Sequence, residues 1–260
     1  MEFFEVMVFE GVGVVGILAL VAAYLLAFVI KGLFGYGAVP PMILMGSLLM
    51  PAHQAVIVAG LVNFASQWIL LPEGLKSADR KVAGRMIVFI LPALVVGVII
   101  FRELPSDGLQ FTVGLILLLI LLAEFSSLRN IIEPIAHRNA AVFSAVSSTV
   151  AGLLAGIVGA GAMIFLSVFL RSILPERVTF RGTIILIVTC ILVFRTFLLA
   201  ATGMVSRSDV IIALMLLPIA ALGLPLGRAL SNVLTNKSFF IAYRWFMICA
   251  ALLLMLRAVI

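Results

Sequence analysis

Two groups of residues in this chain have the types and spacing to handle a charged ligand. Gly32, Gly35, Tyr36 and Gly37 form the string Gly-x-x-Gly-Tyr-Gly-Ala, which returns at Gly156, Gly159 and Gly161 as Gly-x-x-Gly-Ala-Gly-Ala. Each copy is followed at the same spacing by a proline, Pro51 and Pro175. Polar side chains are scattered through the apolar sequence nearby. Lys31 directly precedes the first string, Asn63, Ser66 and Gln67 share one apolar stretch, Thr183, Thr189 and Thr196 share another, and Arg195 lies in the run Ile-Leu-Val-Phe-Arg-Thr-Phe-Leu-Leu. The chemistry such residues supply is anion recognition, through backbone amides freed where glycine breaks a helix and through guanidinium, ammonium and amide donors.

A structural use competes for each side chain. Arg195 either binds an anion inside the membrane or snorkels to the surface near Gly203. Lys31 either balances an anion or anchors a helix at the interface. Asn63, Ser66 and Gln67 either donate to ligand oxygens or bond neighbouring helices, and interhelical bonding is the expected use of the threonines. Tyr36 and Trp68 either line a pocket or join an interfacial aromatic belt, and His53 reads as an interfacial helix start.

Other chemistry finds no footing. Cys190 and Cys249 lack a Cys-x-x-Cys spacing, the two histidines form no zinc motif, and no Gly-x-Ser-x-Gly elbow occurs. No cofactor, metal or catalytic residue is therefore expected, and the chain does not read as an enzyme. The acidic residues Glu73, Asp79, Glu103, Asp107, Glu133, Glu176 and Asp209 are expected in loops, and only Glu124 approaches a helix interior. No carboxylate relay for protons or sodium stands out, so the coupling ion stays open. The membrane potential alone is worth about 2.3 kcal/mol per charge per 100 mV.

The elements that must position these residues follow from composition. Hydrophobic residues make up 65% of the chain and charged residues 11%, with mean hydropathy +1.35, which places it among polytopic all-α membrane proteins. A spanning helix needs roughly 17 to 25 mostly apolar residues. About ten segments are expected, at 12–30, 33–50, 53–71, 82–101, 109–123, 140–157, 162–173, 178–201, 210–228 and 239–260. Segments two and seven, which carry the glycine strings, are expected to be short broken helices, with crossing favoured over a re-entrant return to the same side. Pro40 and Pro41 suit the first turn of the helix after the first string. One transporter domain uses residues 1–260, as two inverted five-helix repeats over about 11–125 and 138–260. The element Leu91, Pro92, Gly97, Arg102 aligns with Leu217, Pro218, Gly223, Arg228 in support of duplication.

The net charge of +6 and pI near 9.9 report orientation and not nucleic-acid binding. With the N-terminus outside, Lys31, Lys76, Arg80, Lys81, Arg85, Arg129, Arg138, Arg171, Arg177, Arg181, Arg228, Lys237 and Arg244 fall inside, while Arg102, Arg207 and Arg257 remain outside. Both termini are then expected on the periplasmic or extracellular face. The first ten residues carry Glu2, Glu5 and Glu10 without Lys or Arg, which speaks against a cleaved signal peptide.

With its doubled glycine strings, its Leu-Pro-x4-Gly-x4-Arg elements and its length, the chain resembles the sulfite exporter TauE/SafE family of bacterial membrane permeases. The resemblance runs from Gly32 to the C-terminal helix. It implies a bacterial inner-membrane transporter of sulfur-containing anions such as sulfite, sulfoacetate, isethionate or related organosulfonates. Gly-Tyr-Gly-Ala and Gly-Ala-Gly-Ala replace the family's commoner glycine triplet, so the loop shape and the choice of substrate are expected to differ in detail. The substrate site is expected at Gly32, Gly35, Tyr36, Gly37, Asn63, Gln67, Gly156, Gly159, Gly161 and Arg195, served by alternating access. A passive anion channel and a non-transporting subunit that recruits a sulfur-metabolism partner are the competing functions. Expected partners are the anion and membrane lipid, with a homo-oligomer open.

Overall fold

The computed structural model describes residues 14–34, 38–125, 139–159 and 176–230, with further positions at 166, 170, 173–174, 248, 251–253 and 255–256. In chain order the helices are α1 (Val14–Phe34), α2 (Val39–Leu49), α3 (Ala52–Gln67), α4 (Leu71–Ser77), α5 (Arg80–Glu103), α6 (Ser106–Phe125), α7 (Ala140–Ile157), α8 (Arg177–Ala201) and α9 (Arg207–Leu230). Local chemistry sets several of their ends. Pro40 and Pro41 occupy the first turn of α2, where a missing amide donor costs nothing. The Asp79 carboxylate caps α5 by accepting from the Lys81 and Val82 amides. Gly159 adopts φ +73° just past the end of α7, a conformation that glycine reaches without strain.

Four helices among the described residues are long and apolar enough to cross a membrane, the Val15–Leu33 part of α1 together with α5, α8 and α9. A fifth span results if α3 and α4, bent by 60° at their junction, count as one. This overturns the expectation of about ten transmembrane segments in two inverted five-helix repeats. Apolar runs between charges were each counted as crossings, but length decides. With 11 residues, α2 reaches about 16 Å against a hydrocarbon core of about 30 Å. The α3 helix stops at Gln67 and turns away at Leu71.

Helix α3 is the hub of the bundle and packs against α2, α6, α8 and α9. The most extensive pairings are α5 with α7 and α1 with α9, and both depend on missing side chains. A Cβ on Gly97 of α5 would strike the Leu153 carbonyl of α7 and lie 2.8 Å from Gly156 Cα. A Cβ on Gly32 of α1 would strike the Leu224 carbonyl of α9 and lie 2.9 Å from Gly227 Cα. Small residues let these backbones touch, which is how helices gain packing energy where lipid offers no hydrophobic drive. The opposite faces carry Val15, Leu18, Val88, Val96, Ile99, Phe197, Leu214 and Leu222, all exposed, as suits lipid contact.

Candidate functional site

Among the described residues two cations are buried in this apolar bundle, and both reach the same stretch of α3. Lys31, in the last turn of α1, is 1% exposed. Its ammonium donates to Asn63 Oδ1 at 2.5 Å, to the Asn63 carbonyl at 3.3 Å and to Ser66 Oγ at 2.9 Å. An ammonium has three donors, so neutral oxygens fill its whole capacity. Ser66 Oγ in turn donates to the Asn63 carbonyl.

Arg195, on α8, is 2% exposed, which removes the snorkelling reading. Its Nε donates to the Gly156 carbonyl at 3.5 Å, and its Nη2 is buried without a hydrogen-bond partner. A helix leaves its last four carbonyls open, so the end of α7 turns an oxygen and a partial negative charge toward the guanidinium. The guanidinium also stands 5.6 Å over the Phe101 ring, within the range of a cation–π contact. Two glycines clear space around it: a Cβ on Gly60 would lie 2.9 Å from Nη1, and one on Gly159 would lie 3.0 Å from the same atom. No carboxylate among the described residues pairs with Lys31 or Arg195.

Gln67 completes the polar face of α3. Its Nε2 donates to the Ile185 carbonyl and to Thr189 Oγ1 on α8, both at 3.3 Å, while its Oε1 is buried and has no partner. Thr189 itself donates to the Ile185 carbonyl at 2.7 Å. At 100° per residue, Gly60, Asn63 and Gln67 share one side of α3. A single helix face thus carries the contact with Arg195, the acceptor for Lys31 and an amide with an open oxygen.

The family described as sulfite exporter TauE/SafE matches residues 20–256. The chain belongs to that family. No curated protein and no solved structure matches it. Members of the TauE/SafE family are transporters and not enzymes, and this chain is a multi-pass membrane transport protein.

Against the expectations for a TauE/SafE transporter, the structure sorts the named residues into three groups. Gln67 and Arg195 each reach across the α3 and α8 interface, Gly159 abuts the Arg195 guanidinium, and Asn63 instead holds Lys31 of α1. Gly32 and Gly156 lie within helices and serve as contact points of the two close crossings, and Gly156 also lends its carbonyl to Arg195. Gly35, Tyr36, Gly37 and Gly161 lie outside the described residues. Lys31 and Ser66, weighed from the sequence as either ligand donors or structural residues, join the polar centre. Gly60, read as a packing glycine, and Phe101, which carried no signal of its own, join it as well. Trp68 is 52% exposed, which suits an interface position. Glu73, Glu103, Asp107 and Asp209 lie in helices and not in loops. Asp209 is buried in the first turn of α9, where its carboxylate accepts from the Ser206 amide. Glu73 pairs with Arg181 at 2.6 Å and with Arg228 at 3.8 Å.

Proposed function

We propose that this protein exports small sulfur-containing anions, such as sulfite or organosulfonates, across a bacterial inner membrane through a site centred on Arg195. The carrying observation is the Arg195 guanidinium, which is buried and uncompensated by any described carboxylate while offering five donors and making one long bond. A buried charge without a partner is costly, and an oxyanion supplies both the missing charge and the missing acceptors. The planar guanidinium suits a sulfonate or sulfite head, since two N–H groups can address two oxygens. Lys31 adds positive field at the Asn63 end of the same α3 face.

Alternating access is the proposed mechanism, because both cations are closed off in the conformation described and an anion has to be admitted from one side and released to the other. The end of the bundle that gathers Lys76, Arg80, Lys81, Arg177, Arg181 and Arg228 is proposed to face the cytoplasm, with both termini outside. The test is flux through purified protein in liposomes, using radiolabelled sulfite and several sulfonates with and without an imposed proton gradient. Saturable flux that supports exchange is expected. Flux that rises without saturation would replace the carrier by a channel, and no flux until a partner is added would replace it by a recruiting subunit.

A further inference from the structure

We infer that Gln67 is a specificity-determining residue that reads a hydrogen-bond donor on the substrate, so that the site takes a short anion carrying an O–H or N–H group at the end opposite its oxyanion head. The inference rests on the transport reading above and narrows its substrate class.

The orientation of the Gln67 amide is fixed by its partners. Both groups it meets on α8 can only accept from it, since Ile185 offers a carbonyl and the Thr189 hydroxyl proton is already committed to that carbonyl. The nitrogen must therefore face α8, and turning the amide over would set oxygen against oxygen. Oε1 is left as a fixed acceptor on a side chain that is 1% exposed, with no partner in the protein. A buried acceptor in that condition favours a ligand that brings a donor and penalises one that brings none. It penalises a second anionic group further, because an acceptor can only repel it.

Spacing relates this acceptor to Arg195. Arg195 abuts α3 at Gly60, seven residues before Gln67, or about 10 Å along the axis at 1.5 Å per residue. On α8, Thr189 and Arg195 are six residues apart, or about 9 Å. The Gln67 amide meets α8 at Ile185 and Thr189, from the face of α3 that also carries Gly60. A two-carbon anion with a terminal hydroxyl spans about 4 Å between its end heteroatoms, and a hydrogen bond of about 3 Å at each end brings the reach to about 10 Å. Such an anion places its head on Arg195 and its hydroxyl on Gln67. Thr189 is a positioning residue, acting through the amide that it orients.

The test compares 2-hydroxyethanesulfonate, ethanesulfonate and sulfoacetate by calorimetric titration of the detergent-solubilised full chain. The wild type should bind the hydroxylated anion about tenfold more tightly than ethanesulfonate, and sulfoacetate no more tightly than ethanesulfonate. Gln67→Leu should abolish the preference, the affinity for 2-hydroxyethanesulfonate falling to that for ethanesulfonate or below. Thr189→Val should weaken the preference without touching a ligand, and Thr189→Ser should retain it. Equal binding of the first two anions by the wild type, a preference that survives Gln67→Leu, tighter binding of sulfoacetate, or no binding of any of the three would overturn the assignment. Sulfite efflux from liposomes reconstituted with the same purified protein separates the two claims. Efflux alongside equal sulfonate affinities sinks only the role of Gln67, whereas absent efflux sinks the transport reading and leaves the titration to decide the site.

Discussion

At the scale of single residues, the two buried cations differ in what they have left to give. Lys31 has spent its three donors on Asn63 and Ser66, whereas Arg195 retains an unpartnered Nη2. Arg195→Lys keeps the charge but loses the planar fork, and it is expected to lower the initial rate of sulfite flux in proteoliposomes by at least about tenfold, a change of about 1.4 kcal/mol. Arg195→Gln should reduce flux to that of empty liposomes. The contribution of Lys31 is structural in the first instance. Asn63→Leu leaves the ammonium without its shortest bond and is expected to destabilise the protein by about 2 kcal/mol in detergent melts. Lys31→Met in the same chain should recover most of that loss, because the charge needing the acceptor is gone, and a double-mutant cycle measures the coupling. Additive losses would show that the two side chains do not act as a unit.

At the scale of elements, glycine placement separates contact from mere presence. Gly97 and Gly84 both lie in α5, but an added Cβ would meet the backbone of α7 at Gly97 and nothing within 4 Å at Gly84. Gly97→Ala is expected to cost about 1–3 kcal/mol through overpacking at the α5 and α7 crossing. Gly84→Ala should stabilise by up to about 1 kcal/mol, the helix propensity gained. Thermal melts of the two variants should therefore move in opposite directions. The short α4 is tied to α8 and α9 by Glu73, Arg181 and Arg228. Since these side chains are 21–41% exposed, Glu73→Gln should cost no more than about 1 kcal/mol. Much at this scale was legible beforehand. Apolar runs bounded by charge or proline anticipated α5, α8 and α9 to within a few residues, and Pro40 and Pro41 marked the start of α2. The number of crossings was not legible, because hydropathy records apolar content and does not record the 60° turn between α3 and α4. Nor was the burial of Lys31, which depends on Asn63 and Ser66 reaching it from 32 and 35 residues away. Arg195 was legible as a candidate because a charge deep in an apolar run has few uses, but the sequence did not choose between burial and snorkelling. The role of Gly60 was not legible, since a lone glycine reads the same whether it clears space for a guanidinium or for a neighbouring helix.

At the scale of the whole molecule, α8 sets the distance between the two ends. Its 25 residues extend about 37 Å, with Gly182 against Ser77 near one end and Arg207 following the turn at the other. Single cysteines at exposed Lys76 and Arg207, in a chain lacking Cys190 and Cys249, should therefore label from opposite sides. A membrane-impermeant maleimide is expected to reach the Arg207→Cys variant in intact cells and the Lys76→Cys variant only after permeabilisation; the reverse pattern would invert the proposed orientation. The neutral shell around Lys31 also has a consequence for biogenesis. Asn63 and Ser66 are synthesised after Lys31, so α1 meets the bilayer before the oxygens that will hold its ammonium exist. A lysine at the centre of an inserting helix costs about 2.5–3.5 kcal/mol, and its place in the last turn of α1 lets it wait at the headgroups. Only when α3 arrives does the charge have reason to leave the interface, which makes the capture of Lys31 a late event in assembly, after insertion and before the bundle closes.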